Sequence, residues 1–288
     1  MPIEIPSDAL AITNAKSQRI KALVAAPAIL VMPGAYDVLS ARLFEDLGFE
    51  AIQGTSGGIA AVAGYADGEV VAAADTLAIT GAMASAVALP VNADGEKGYG
   101  GVEETATFVR ELILRGVAGM NLEDSAHPGE SGERRLVPLA QHLEKLRAVT
   151  NAREELSSQF FLNARVDAFM TDDTPAACLE QAIQRGNAYA SLGADCIFFI
   201  NVTANEVIAR LVKEIAAPIS ILWREGAPDV AQLEALGVAR VSYGSAFARM
   251  AIGAVRSLAK EIQEHGTVDL LRGAIPTPEL RKILRLTR

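Results

Sequence analysis

Eight short, continuously apolar runs punctuate the 288-residue chain, and their spacing limits its fold more than any other feature. They are "AILVMPG" (28–34), "EAIQGTS" (50–56), "LPVNAD" (89–94) and "AGMNLED" (118–124) in the first half. "QFFLNARVD" (159–167), "CIFFIN" (196–201), "PISILW" (218–223) and "ARVSYGS" (239–245) follow in the second. Each is too short for a helix and lacks polar alternation, the pattern of strands buried on both faces. Amphipathic stretches such as "DVLSARLFEDLG", "TATFVRELILRG" and "LEQAIQRGNAYASLG" lie between them. Several stop at a glycine just past the last apolar position, a common helix terminator. A helix–Gly–strand join recurs in "LGFEA", "RGVAG" and "LGADC". Eight strands alternating with helices predict an α/β fold of the (β/α)8 TIM-barrel type. A doubly wound open sheet would have fewer strands and a glycine-rich dinucleotide turn after the first, and "MPGAYD" is not that turn.

No linker or low-complexity segment interrupts the pattern, so residues 1–288 read as one barrel domain with a C-terminal helical extension at about 266–288. An amphipathic stretch, 8–26, precedes the first strand and is placed to cap the barrel bottom. In the tail, Leu280, Ile283 and Leu284 share one helical face, which packs on its own subunit or docks on a neighbour. Half the residues are apolar and the formal net charge is −9, so a large core forms and no basic face serves nucleic acid or an anionic membrane. Anionic small molecules stay open, because a metal ion reverses the field locally. Cys178 and Cys196 read as free structural thiols of a reducing compartment. With no signal peptide and no apolar run near the ~20 residues of a membrane span, the expected location is cytoplasmic.

Chemistry in such barrels gathers at the C-terminal strand ends. Those ends supply Tyr36 and Asp37, then Thr55, Ser56, Gly57 and Gly58, then Asp94 and Glu96. Asn121, Glu123 and Asp124 follow, then Asn163, Arg165 and Asp167, then Asn201, Arg224, Glu225, Ser242 and Tyr243. Carboxylates on two successive strands suit a hard divalent cation, and an arginine on the next is a fork for a substrate carboxylate. Each has a purely structural alternative: Asp94 and Glu96 as loop acids, Glu123 or Asp124 as a helix cap, Arg165 as an ion-pair member, "TSGG" as a plain turn. Their coincidence at one barrel end favours a site. No His/Cys cluster or Walker pattern occurs, and no lysine ends a strand, which weighs against Schiff-base chemistry.

"PGAYDVLSARLFEDLGFEAIQGTSGGIAA", "GYADGE", "PVNADGEKGYGG", "GMNLEDS" and "NARVDAF" resemble the isocitrate lyase/phosphoenolpyruvate mutase superfamily over about residues 28–250. The phosphonomutase-like branch is the nearest. The resemblance implies a Mg2+-dependent barrel, with Mn2+ as the alternative ion, that makes or breaks a C–C or P–C bond beside a pyruvate enolate. It assigns Asp94 to the closest metal contact, and Glu96, Glu123 and Asp67 to the ion's surroundings. Ser56, Gly57 and Gly58 match the loop that holds the oxo-acid carboxylate, Tyr36 lies beside it, and Arg165 matches the arginine that grips the substrate. Arg165, Asn121 and Glu123 are thereby the candidate catalytic residues.

Two departures stand out. The family's lyases carry K-[KR]-C-G-H in the lid after the fourth strand, whereas this chain has "SAHPGESGERRLVP", with His127 but no Cys. Glu96 stands where Asp is usual. The expected function is therefore Mg2+-dependent C–C cleavage of a small anionic 2-oxo acid, an oxaloacetate-like dicarboxylate first. Phosphonopyruvate hydrolysis or phosphonomutation is the alternative, kept open by Arg134 and Arg135, as is a non-catalytic oxo-acid binder. The resemblance further implies a homotetramer, a dimer of helix-swapped dimers.

Overall fold

The computed structural model describes residues 7–126 and 134–284. Nine short parallel strands surround one axis: β1 (Leu30–Met32), β2 (Gly34–Ala35), β3 (Ile52–Gly54), β4 (Val91–Asp94), β5 (Gly119–Glu123), β6 (Phe161–Val166), β7 (Cys196–Phe199), β8 (Ile219–Leu222) and β9 (Arg240–Ser242). Between and after them run α1 (Ser7–Val24), α2 (Val38–Asp46), α3 (Ser56–Ala63), α4 (Ala73–Ala86), α5 (Val102–Leu114) and α6 (Leu139–Glu155). α7 (Pro175–Ser191), α8 (Asn205–Glu214), α9 (Val230–Ala235), α10 (Ala246–His265) and α11 (Thr277–Leu284) complete the set.

Every expected apolar run contains a strand, and the fold is the predicted α/β barrel. The first run holds two, split at Pro33, which has no N–H to offer the ladder. β1 pairs with β9 and β2 with β3, so the ring closes through the covalent link between them. Gly34 is required at this seam: a Cβ there would lie 2.0 Å from the Gly244 carbonyl oxygen.

The barrel bottom is sealed by α1, as its amphipathic pattern predicts. Ile20 and Val24 pack with Leu30, Met32, Phe161 and Cys196. Burying each such aliphatic side chain contributes about 1.5–3 kcal/mol. Ser17 Oγ donates to the Ala118 carbonyl at 2.8 Å, and Lys16 Nζ donates to those of Ala84 and Val87. Both cysteines are free and buried.

The middle of the barrel is polar, where branched aliphatics usually fill the layers. Asn92 Nδ2 donates to Gln53 Oε1 and to Asn121 Oδ1, both at 2.9 Å, and Asn163 Nδ2 donates to Asn121 Oδ1 at 2.6 Å. Fully buried Arg240 donates to Gln53 Oε1, to Ser220 Oγ at 3.0 Å and to Met32 Sδ at 2.8 Å.

At the C-terminus, α11 packs on α2 of its own chain. Ile283 is buried, and Arg42 Nη1 donates to the Leu284 carbonyl. The most exposed apolar stripe therefore lies on α10, although Leu284 is itself 40% exposed. Met250 and Val255 are 74% and 69% exposed, and Ala248 is the helix's one buried residue. Among the described residues no helix is long and apolar enough to cross a membrane.

Candidate active site

The ends of β5 and β6, with the loops that carry Asp67, Lys97 and Arg134, build a cavity of about 270 Å³. Parallel register sets Glu123 on β5 directly opposite Arg165 on β6. The Arg165 guanidinium spans two acids: Nη1 reaches Glu123 Oε2 at 2.6 Å, while Nε and Nη2 fork onto Asp167 at 2.6 and 2.9 Å. Arg165 is thus an ion-pair member and a cavity-lining residue at once. Burial pushes the Glu123 carboxyl up, Arg165 opposes it, and the Asp167 and Asp94 charges add to the rise.

Asp94 stands at the end of β4, facing the first turn of α3. Its Oδ2 accepts from Ser56 N at 3.1 Å and Ser56 Oγ at 2.8 Å, so the carboxylate also meets the positive end of that helix. Its other oxygen, Oδ1, is buried and has no hydrogen-bond partner. Burial raises the Asp94 carboxyl, against the pull of Arg165. Such an atom is costly unless something cationic meets it.

Around it, "SGG" opens α3 behind the Thr55 cap. A Cβ on Gly58 would lie 2.7 Å from Thr55 Cγ2 and 2.8 Å from Tyr36 Cβ, so only glycine lets Tyr36 sit against the loop. A Cβ on Gly57 would lie 3.0 Å from Asp67 Oδ2, which places the Asp67 carboxylate over the same turn.

Glu96 is held differently. Its Oε2 accepts from the Glu69 backbone N–H and its Oε1 from Tyr99 OH at 3.1 Å. Glu69 reciprocates, its Oε1 accepting from the N–H groups of Lys97 and Tyr99 at 3.0 and 2.9 Å. The two glutamates clamp the 65–72 loop to the 94–100 loop. Burial, aided by Asp94 and Asp67, pushes Glu96 up to about 7. Asn121 lies in the interior polar layer, its Oδ1 accepting from both Asn92 and Asn163.

Among the described residues no three Asp, Glu, His or Cys side chains converge closely enough to hold an ion unaided. The donor set nevertheless fits a hard cation met by one carboxylate and retained waters, the habit of Mg2+. The unpartnered Asp94 Oδ1 is the atom that such an ion would meet directly, and the Asp67 and Glu123 carboxyls lie within electrostatic reach of Asp94.

The family model for phosphoenolpyruvate phosphomutase matches residues 20–263. The chain belongs to this family. It is 28% identical to 2-methylisocitrate lyase of Bacillus subtilis (strain 168), over 86% of this chain and 82% of that one. With phosphonopyruvate hydrolase of Variovorax sp. (strain Pal2) the identity is 27%, over 94% of each. The solved structure of oxaloacetate acetylhydrolase in complex with the product oxalate superposes with a TM-score of 0.84 at 28% identity, covering 94% of each chain. The protein is an enzyme of the isocitrate lyase/phosphoenolpyruvate mutase superfamily, whose members here include lyases as well as enzymes of phosphonates.

Within that family frame, Lys97, Arg185 and Tyr189 stand at or behind the cavity without having been singled out by sequence. No strand ends in lysine, yet Lys97, three residues past β4, lines the cavity with its Nζ 4.0 Å from Glu123 Oε1. Asp124 is not a helix cap, since α6 is preceded by Pro138. Its Oδ1 accepts from Asp167 N at 2.8 Å, and its Oδ2 accepts from Arg185 Nη1 at 3.1 Å and Tyr189 OH at 2.7 Å. Burial pushes Asp124 up to about 6. Asp124 also ties down the lid stem, its carbonyl accepting from Val137 N at 2.9 Å, beside the Ser125–Leu136 bridge. The lid arginines Arg134 and Arg135 line the cavity, whereas His127 lies outside the described residues.

Proposed function

We propose that this enzyme is a divalent-metal-dependent lyase that cleaves the carbon–carbon bond one carbon removed from the oxo group of a small 2-oxo dianion, an oxaloacetate-like acid first, leaving the electron pair as the enolate of pyruvate. The observation that carries the reading is the buried, unpartnered Asp94 Oδ1 at the mouth of the barrel. Asp94 would hold Mg2+, or Mn2+ in its place, with Asp67 and Glu123 touching its retained waters; Glu96 acts one step further out, by fixing both loops. When bound, the ion supplies a Lewis acid for the oxo oxygen. The first turn of α3 at Ser56, Gly57 and Gly58 would receive the carboxylate through the Gly57 N–H, since Ser56 already donates to Asp94 and Gly58 N to the Thr55 cap. Tyr36 closes that side. Arg165, already oriented by Asp167 and Glu123, places positive charge where the electron pair collects as the bond breaks. The similarity to oxaloacetate acetylhydrolase supports this substrate class.

Phosphonopyruvate hydrolysis or mutation is the second reading, favoured by the cationic wall of Lys97, Arg134 and Arg135. We also propose that the exposed α10 stripe is covered by a second copy through helix exchange, giving tetramers; a monomer in light scattering sinks that assembly. The expected location remains cytoplasmic.

Calorimetric titration with oxalate, with and without Mg2+, tests the function. Oxalate is expected to bind only with Mg2+, and Asp94→Ala to abolish binding. Equal binding to Asp94→Ala, or none to the wild type with Mg2+, overturns the reading.

A further inference from the structure

We propose that Lys97 determines specificity by receiving the second anionic group of the substrate, the one distal to the oxo-acid carboxylate. The inference rests on the 2-oxo acid reading above and narrows it to dianions.

Three observations converge on this lysine. The first is charge. The chain is acidic overall, yet the cavity wall carries Lys97, Arg134, Arg135 and Arg165 against Asp67, Glu123 and Asp167. Arg165 is committed, because three of its nitrogens already bond two carboxylates, and that cluster alone carries a net negative charge. A dianion entering beside it needs another cation.

Lys97 is also held as a built position and not as a stray surface lysine. Its backbone N–H donates to Glu69 Oε1 at 3.0 Å, and its carbonyl accepts from Lys145 Nζ at 2.6 Å. Charged side chains therefore anchor both sides of the residue, while its own side chain, 11% exposed, reaches the cavity. At 4.0 Å from Glu123 Oε1, the ammonium is at the outer limit of an ion pair and free to turn toward a closer anion.

The third observation is size. At about 270 Å³ the cavity is below the ~300–1,000 Å³ of sites for drug-sized ligands, a size that suits a small acid. A lysine is a compact point charge with rotatable donors, so it accepts a carboxylate or a phosphonate without the bidentate geometry an arginine imposes. The shared chemistry is a second anion within reach of Lys97, with Arg134 on the same wall.

The test compares ligands with and without that group. Wild type, Lys97→Met and Lys97→Arg are titrated, with Mg2+ present, with oxalate, 3,3-difluorooxaloacetate and phosphonopyruvate. Both anchors of Lys97 involve its backbone, so Lys97→Met should melt with the wild type. Lys97→Met is expected to weaken one or both longer ligands by roughly ten-fold or more while oxalate changes by less than about two-fold, and Lys97→Arg to restore most of the loss. Whichever longer ligand depends more on Lys97 identifies the distal group as carboxylate or phosphonate. Equal weakening of oxalate and the longer ligands, or no weakening of either, overturns the proposal while the 2-oxo acid reading stands. Failure of oxalate to bind wild type removes that reading and this proposal together.

Discussion

Two arginines are buried in this barrel and are satisfied in opposite ways. Arg165, at the rim, donates to two carboxylates. Arg240, in the interior, meets only a sulfur, a hydroxyl, an amide oxygen and the Phe198 ring 5.6 Å away. Burial lowers both guanidinium pKa values. At Arg165 the Asp167 and Glu123 charges outweigh burial and hold it above its ordinary range. At Arg240 they are missing, and burial pushes it down to about 10. The rim is a charge-compensated cluster that an incoming anion or cation perturbs. The interior layer is a mostly neutral hydrogen-bond frame that holds strand ends in place.

The contrast breaks most visibly at Arg165. Arg165→Met leaves Glu123 and Asp167 uncompensated, which should cost about 3–5 kcal/mol in urea unfolding. Turnover should fall by roughly a hundred-fold or more. Wild-type stability in that variant would mean the rim acids are not held by charge.

A smaller effect is expected from pH. The folded pKa of Glu96, about 7, exceeds its ordinary value of 4.5. Its contribution to stability is therefore fully present below about pH 4.5 and lost as pH rises through about 7. Between about pH 6.5 and pH 8.5 this group should cost the metal-free protein on the order of 1 kcal/mol, and Glu96→Gln should flatten the profile. His142, pushed by burial down to about 3, acts in the opposite sense and mostly below about pH 6.5. An unchanged slope in Glu96→Gln would assign the decline to other acids.

Arg240→Met should change stability by only about 1–2 kcal/mol, because its three hydrogen bonds go to neutral acceptors, no carboxylate is left unpaired, and Gln53 Oε1 keeps the Asn92 bond. Oxalate affinity should stay within about two-fold. A loss as large as that of Arg165→Met would erase the distinction between the layers. The smallest effect is expected from Tyr99→Phe, which removes the hydroxyl between Thr76 and Glu96 at about 1 kcal/mol. It should also move the Glu96 midpoint upward, since that hydrogen bond favours the ionised form.

The fold was largely legible because strands buried on both faces leave unbroken apolar runs, and all eight runs contain strands. Asp94, Glu123 and Arg165 were legible for a related reason, since a polar residue that ends such a run has to face the barrel mouth. Lys97 was not, because its direction is set by a turn with positive φ at Glu96, Gly98 and Tyr99, not by strand period. Glu96 and Glu69 were not recognised as a reciprocal clamp, for the same reason.

The sequence by itself determined the number, order and burial of the elements, because hydrophobic period and helix stops are local properties. Tertiary structure alone decided the partners. Asp124 meets Arg185 and Tyr189 across 61 and 65 residues, and Arg240 meets Met32 across 208. Such pairings depend on strand register and barrel closure, which bring distant side chains within hydrogen-bond reach, where charge and geometry choose among them.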